Sequence, residues 1–129
     1  MPEFREERPT LADGVTLDPT GAFHKPAYRY VRAADRLPST DAAYATRDPL
    51  IRVKLFDPMG TWTWYLAGYD PDRRLAFGAV DGFAFEVGDF DLAELTRLRV
   101  SPFGLPIERD LDFTPLPLSV LRRQPREER

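Results

Sequence analysis

A chain of 129 residues, 43% hydrophobic and 12% aromatic, is the right size for one domain with a packed core. Its net charge is −3 and no third of it is basic, which argues against the phosphate-neutralising surface of a free nucleic-acid binder. No run reaches the roughly 20 apolar residues needed to span a bilayer, and the absence of cysteine excludes disulfides and thiolate chemistry.

The first residues carry no apolar signal-peptide core, so a cytoplasmic location is expected. Every cation except Lys25 and Lys54 is arginine, a bias that with abundant Ala and Pro reflects a GC-rich genome rather than a binding surface. Residues 1–36 show no sustained periodicity, and Pro2, Pro9, Pro19 and Pro26 interrupt any helix. They read as an N-terminal arm that docks on the domain or orders on a partner. The domain proper is expected over 37–121, followed by a charged, fraying tail over 122–129.

Ser39, Thr40 or Asp41 can cap a helical turn over Ala42 to Ala45, which Asp48-Pro49 would end. Ile51 to Phe56 predicts a strand with Ile51, Val53 and Leu55 on one face. Asp57-Pro58-Met59-Gly60 is a turn, and Thr61 to Tyr69 a second strand with Trp62, Trp64 and Leu66 on one face. Leu75 to Val80 is apolar throughout, as in a central strand covered on both sides, with Gly78 leaving room for a ring or marking a bulge. Asp81-Gly82 reads as a type I′ hairpin leading into the alternating Phe83, Phe85 and Val87.

One helix follows, over about 91–99, with Asp91 as N-cap, Glu94 completing a capping box, and Leu92, Leu95 and Leu98 as its apolar stripe. Ile107 to Phe113 can add a fifth strand, and Thr114 to Leu118 reads as extended chain. The fold class is α+β: a four- to five-stranded, mostly antiparallel, twisted and partly curled meander with the short helix packed on one face.

Collinear blocks carry a family resemblance: Leu37-Pro38, Val53-Lys54-Leu55-Phe56, Trp62-Thr63-Trp64-Tyr65, Phe77-Gly78-Ala79-Val80-Asp81-Gly82 and Glu86-Val87-Gly88. Leu92-Ala93-Glu94-Leu95, the run from Gly104 to Asp110, Phe113 and Pro115 continue it. Over about residues 37–121 the chain resembles the uncharacterised domain of unknown function 2958, found in bacteria and on plasmids and phages. The resemblance implies no established activity, only a tendency to travel on mobile elements. Members tend to carry an acidic residue where this chain has Gly68, so any chemistry of that acid is missing here.

Three constellations carry candidate chemistry. Glu86, Glu108 and Asp110, with Arg109 as a clamp, can form a general acid/base pair or a divalent-metal site if the last strand joins the sheet. The plainer reading has Arg109 bridging Glu108 or Asp110. Tyr65, Arg73 and Arg74 can bind nucleic acid, with Trp62, Trp64 and Tyr69 as stacking rings; two Trp spaced by two in a strand are more often core. His24, the one histidine, has no spacing that suggests a Ser-His-Asp triad or zinc, and neither a P-loop nor a dinucleotide fingerprint is present. No cofactor or metal is expected. The leading expectation is a small non-enzymatic accessory protein of a mobile element or phage that acts through protein–protein contacts. The alternatives are a hydrolase or nucleic-acid-processing accessory using the carboxylates, and a nucleic-acid-binding module.

Overall fold

The computed structural model describes residues 30–100 and 103–126. Residues 1–29, with most of the predicted arm and His24, lie outside the described residues, as do Ser101-Pro102 and residues 127–129.

Ser39 caps α1 (Thr40–Ala45) by accepting the Ala42 N–H on its Oγ at 3.1 Å. Two strands follow: β1 (Leu50–Ile51) and β2 (Val53–Phe56), separated by Arg52. β3 (Thr63–Asp70), β4 (Leu75–Asp81) and β5 (Phe85–Asp91) continue the meander. Asp91 caps α2 (Leu92–Arg97), its Oδ1 accepting the Ala93 N–H at 2.8 Å. β6 (Arg99–Val100) pairs with β7 (Leu105–Pro106), then β8 (Glu108–Arg109), β9 (Leu116–Pro117) and α3 (Leu118–Arg123) complete the chain. The main sheet is antiparallel and open, in the order β5-β4-β3-β2-β8, and β1 pairs with β9 apart from it. The expected α+β class with a five-stranded antiparallel sheet is what the chain forms.

Both faces of this sheet are covered, not one. Tyr30, Leu37, Leu92, Leu95 and Ile107 pack on the face that carries Val53, Leu55, Trp64 and Leu66. Ala43 of α1, Phe113, and Leu118 and Leu121 of α3 pack on the face that carries Tyr65, Phe77 and Ala79. Central strands buried on both sides must be apolar at nearly every position, which is why β3 and β4 lack an alternating pattern. Each aliphatic side chain so buried contributes about 1.5–3 kcal/mol relative to exposure.

Several expectations need correction. Ile51 lies on the opposite face from Val53 and Leu55, because the Arg52 N–H bonds the Leu66 carbonyl at 2.9 Å while β1 departs to pair with β9. A bulge falls between Leu66 and Gly68, on the strand facing Gly78, and it returns Tyr69 to the face of Trp64 and Leu66. The β4–β5 turn spans Gly82-Phe83-Ala84, with the Gly82 N–H bonded to the Ala84 carbonyl at 3.0 Å. It is not type I′, since among the described residues positive φ is confined to Arg36, Arg74 and Gly104. The predicted fifth strand shrinks to Glu108–Arg109. Asp110 turns the chain out of the sheet by accepting the Asp112 N–H on its Oδ1 at 2.9 Å and the Phe113 N–H on its carbonyl at 3.3 Å. Helix α2 stops at Arg97, leaving Leu98 exposed, because Arg99 and Val100 are taken into a strand pair. Leu118, read as the end of extended chain, instead begins a helix that runs through Arg123, into the stretch read as a fraying tail.

Candidate functional site

The three predicted carboxylates are not brought together. Glu86 sits on β5 and Glu108 on β8, at opposite edges of the sheet. Four strand spacings separate them, about 19 Å at roughly 4.8 Å each. The expectation that Glu86 joins a carboxylate site fails because the last strand adds to the β2 edge rather than beside β5. Asp110 lies near Glu108 at that edge, with its Oδ2 3.8 Å from the Lys54 ammonium and its N–H bonded to the Lys54 carbonyl at 2.9 Å. Among the described residues no group of three or more His, Cys, Asp or Glu is placed to hold a metal ion.

Arg109 finds partners in the 30–35 segment rather than in a carboxylate site. Its register with Leu55 turns it to the face of Tyr30, where only 8% of it is exposed. Nη1 donates to the Tyr30 carbonyl and to Asp35 Oδ2, both at 2.8 Å, and Nη2 donates to Asp35 Oδ1 at 2.7 Å. The Tyr30 hydroxyl in turn donates to the Ile107 carbonyl. Burial alone would raise the Asp35 carboxyl, but the Arg109 fork and then the Arg32 N–H outweigh it and hold Asp35 below the usual carboxylate range. This bidentate pair pins residues 30–36, assigned to the arm by sequence, onto the sheet.

Tyr65 is 0% exposed, packed beside Phe113 at 6.2 Å between ring centroids. It belongs to the core and offers no face for stacking, because its side of β3 is covered by α1 and α3. Arg73 donates to Asp70, whose carboxylate also accepts the Thr40 N–H at 3.0 Å and the Thr40 hydroxyl at 2.8 Å. Arg73 is therefore a structural brace between α1 and the end of β3. Arg74, half-buried at φ 53°, has its guanidinium pushed down to about 9 by burial, with Arg97 adding and Asp91 opposing. The two arginines and Tyr65 form no common surface.

A cleft does open at the end of the sheet where Trp62 enters β3. It encloses about 690 Å³, floored by Lys54, Phe56 and Thr63 and walled by Trp62, Asp110, Leu111, Asp112 and Arg126. A second hollow of about 430 Å³ shares Lys54 and Asp110 with it and runs on past Phe113 toward Leu121 and Gln124. At the mouth, Arg126 pairs with Asp81 and donates to the Gly82 carbonyl. The Trp62 ring lies so close over Gly82 that a Cβ there would meet it at 2.5 Å, which explains the glycine better than its turn does. Beyond Trp62 the hairpin tip presents Phe83, edge-on to the indole at 5.2 Å and 92% exposed; Met59 and Leu111 also face outward. Sequence reasoning missed Asp81, Phe83 and Arg126, since one was read as a turn residue, one as a strand residue and one as tail. The available signal was Phe83 directly after Asp81-Gly82, an aromatic placed where the chain turns.

A family model described as Protein of unknown function (DUF2958) matches residues 29–128. The chain belongs to this family. The matched span begins at 29 rather than 37 and so takes in Tyr30 and Asp35, in keeping with their place in the fold. No curated protein and no solved structure matches the chain. Gly68 has a packing reason: a Cβ at that position would lie 2.8 Å from both the Ser39 carbonyl oxygen and the Ala43 Cβ, so α1 occupies the space a side chain there would need.

Proposed function

We propose that this DUF2958 protein is a small non-enzymatic accessory protein of a mobile element, working in the cytoplasm by binding another protein through the cleft at the end of its sheet. The observation that carries the reading is the exposed apolar surface next to that cleft: Phe83, 92% exposed, lies edge-on to Trp62, which lines the cleft together with the exposed Leu111. Large apolar side chains gathered around a concave, polar-lined hollow have the anatomy of an interface, an apolar centre with charged groups about it. The alternatives draw less support. A hydrolase would need Glu86 near Glu108 and Asp110, and a nucleic-acid module would need Tyr65 and Arg73 exposed together. No helix among the described residues is long and apolar enough to cross a membrane.

A photo-crosslinking amino acid placed at Phe83, and separately at Asp89 on the far edge, tests the reading in the native host cell. One discrete, stoichiometric protein adduct from position 83 and none from 89 is the expected result. Absence of any adduct at 83, or the same products from both positions, would overturn it.

A further inference from the structure

We infer that the cleft contains a receptor site for an arginine side chain of the partner polypeptide, and that Arg126 occupies this site in cis. The inference deepens the protein-binding reading above and rests on it. Its root is Asp81, the last residue of β4, aligned across the sheet with Thr63 and Phe85. Its side chain is only 7% exposed, yet it carries a carboxylate whose charge must be met. The adjoining Gly82 carbonyl supplies a second acceptor, and the Trp62 ring, lying against Gly82, supplies a flat apolar wall. A carboxylate, a carbonyl and an indole side by side suit a planar guanidinium, which forks to two acceptors and stacks, better than a point-like ammonium.

A guanidinium is in fact there. It comes from the segment beyond the end of α3 rather than from the core, and the Arg126 side chain remains 48% exposed. A partner held from a surface segment can leave at low cost, while its attachment to the chain keeps its effective concentration high. The cleft that Arg126 lines encloses about 690 Å³, far more than a single guanidinium fills. With Arg126 swung out, and Arg109 neutralised by Asp35, the lining holds Asp57, Asp110 and Asp112 against the single cation Lys54, with Asp81 beside it. That balance is complementary to a cationic side chain entering from outside.

The test titrates the full chain with acetyl-Gly-Arg-Gly-amide and with its Lys counterpart, following heat of binding and the Trp62 indole N–H resonance. Wild type is compared with Arg126→Ala and with the double variant Arg126→Ala/Asp81→Asn. Removing the cis competitor should tighten arginine-peptide binding by about tenfold or more, shift the Trp62 signal, and leave the Lys peptide weaker. The double variant should lose the binding. Equal affinity in wild type and Arg126→Ala, or equal binding of the Arg and Lys peptides, overturns the proposal and leaves Arg126 a plain surface brace. Should Asp81→Asn unfold the chain, as circular dichroism would reveal, Arg126→Ala alone decides through its Arg-over-Lys preference. Capture of a partner at position 83 with no gain in Arg126→Ala sinks the arginine site and spares the protein-binding reading. Arginine binding with no capture at 83 does the reverse.

Discussion

Arg109 and Asp35 are the pair on which the edge of the sheet depends. Both side chains are 6% exposed, and the two parallel N–H···O bonds plus the Tyr30 carbonyl meet three of the guanidinium's donors. Removing one member leaves the other as a buried charge, so Arg109→Ala should cost about 3–5 kcal/mol in urea unfolding, and Arg109→Lys should recover little of it. The acid dependence follows from the sign of the Asp35 shift. The folded carboxyl lies below its unfolded value of about 3.9, because Arg109 and Arg32 outweigh the opposing effect of burial. Its stabilisation is therefore complete above that unfolded value and is lost as pH falls through the lower, folded one. Asp35→Asn should be less stable at neutral pH and should lose less stability than wild type between pH 5 and pH 3; an unchanged acid profile would remove Asp35 from the account. None of this pairing was legible in the sequence, where Arg109 has Glu108 and Asp110 for neighbours. A partner 74 residues earlier is a tertiary fact that no local pattern reveals.

The elements divide by whether their signals are local. α2 was readable because its cap, Asp91, and its apolar positions lie within one turn of each other. β3, β4 and β5 were readable because β-favouring side chains and turn residues adjoin them. α3 was not. Its N-cap position is Pro117, which has no side-chain cap bond, and the capping group is supplied by Asp48. That carboxylate accepts the Ser119 N–H at 2.9 Å and the Ser119 hydroxyl at 2.6 Å, bonds that hold Asp48 below the usual carboxylate range. Asp48→Ala should loosen α3 specifically, raising amide exchange at Ser119, Val120 and Leu121 while β3 and β4 stay protected. Exchange unchanged in α3 would show that packing of Leu118 and Leu121 alone holds the helix. The reversal of Ile51 is of the same kind: one residue, Arg52, left out of the ladder flips every side chain before it, and no local pattern announces that.

At the scale of the molecule, a five-stranded sheet covered on both faces leaves little for function except its ends and edges. One end is closed by α1, braced to Asp70 through Thr40 and Arg73. The other end carries the cleft, the exposed Phe83 and the latch between Arg126 and Asp81. The candidate surface was hidden in the sequence for a physical reason. Its parts come from the 57–62 turn, the β4–β5 turn, the bend after β8 and the segment beyond α3, four places unrelated by spacing. The central claim is that this end is where a protein partner sits. Hydrogen–deuterium exchange of the purified complex against the isolated chain tests it most directly. The account predicts added protection at residues 57–62, 82–84 and 110–112, with the β5 edge at 86–91 and the Arg73-Arg74 turn unchanged; protection at those last two places with the cleft unaltered would contradict it.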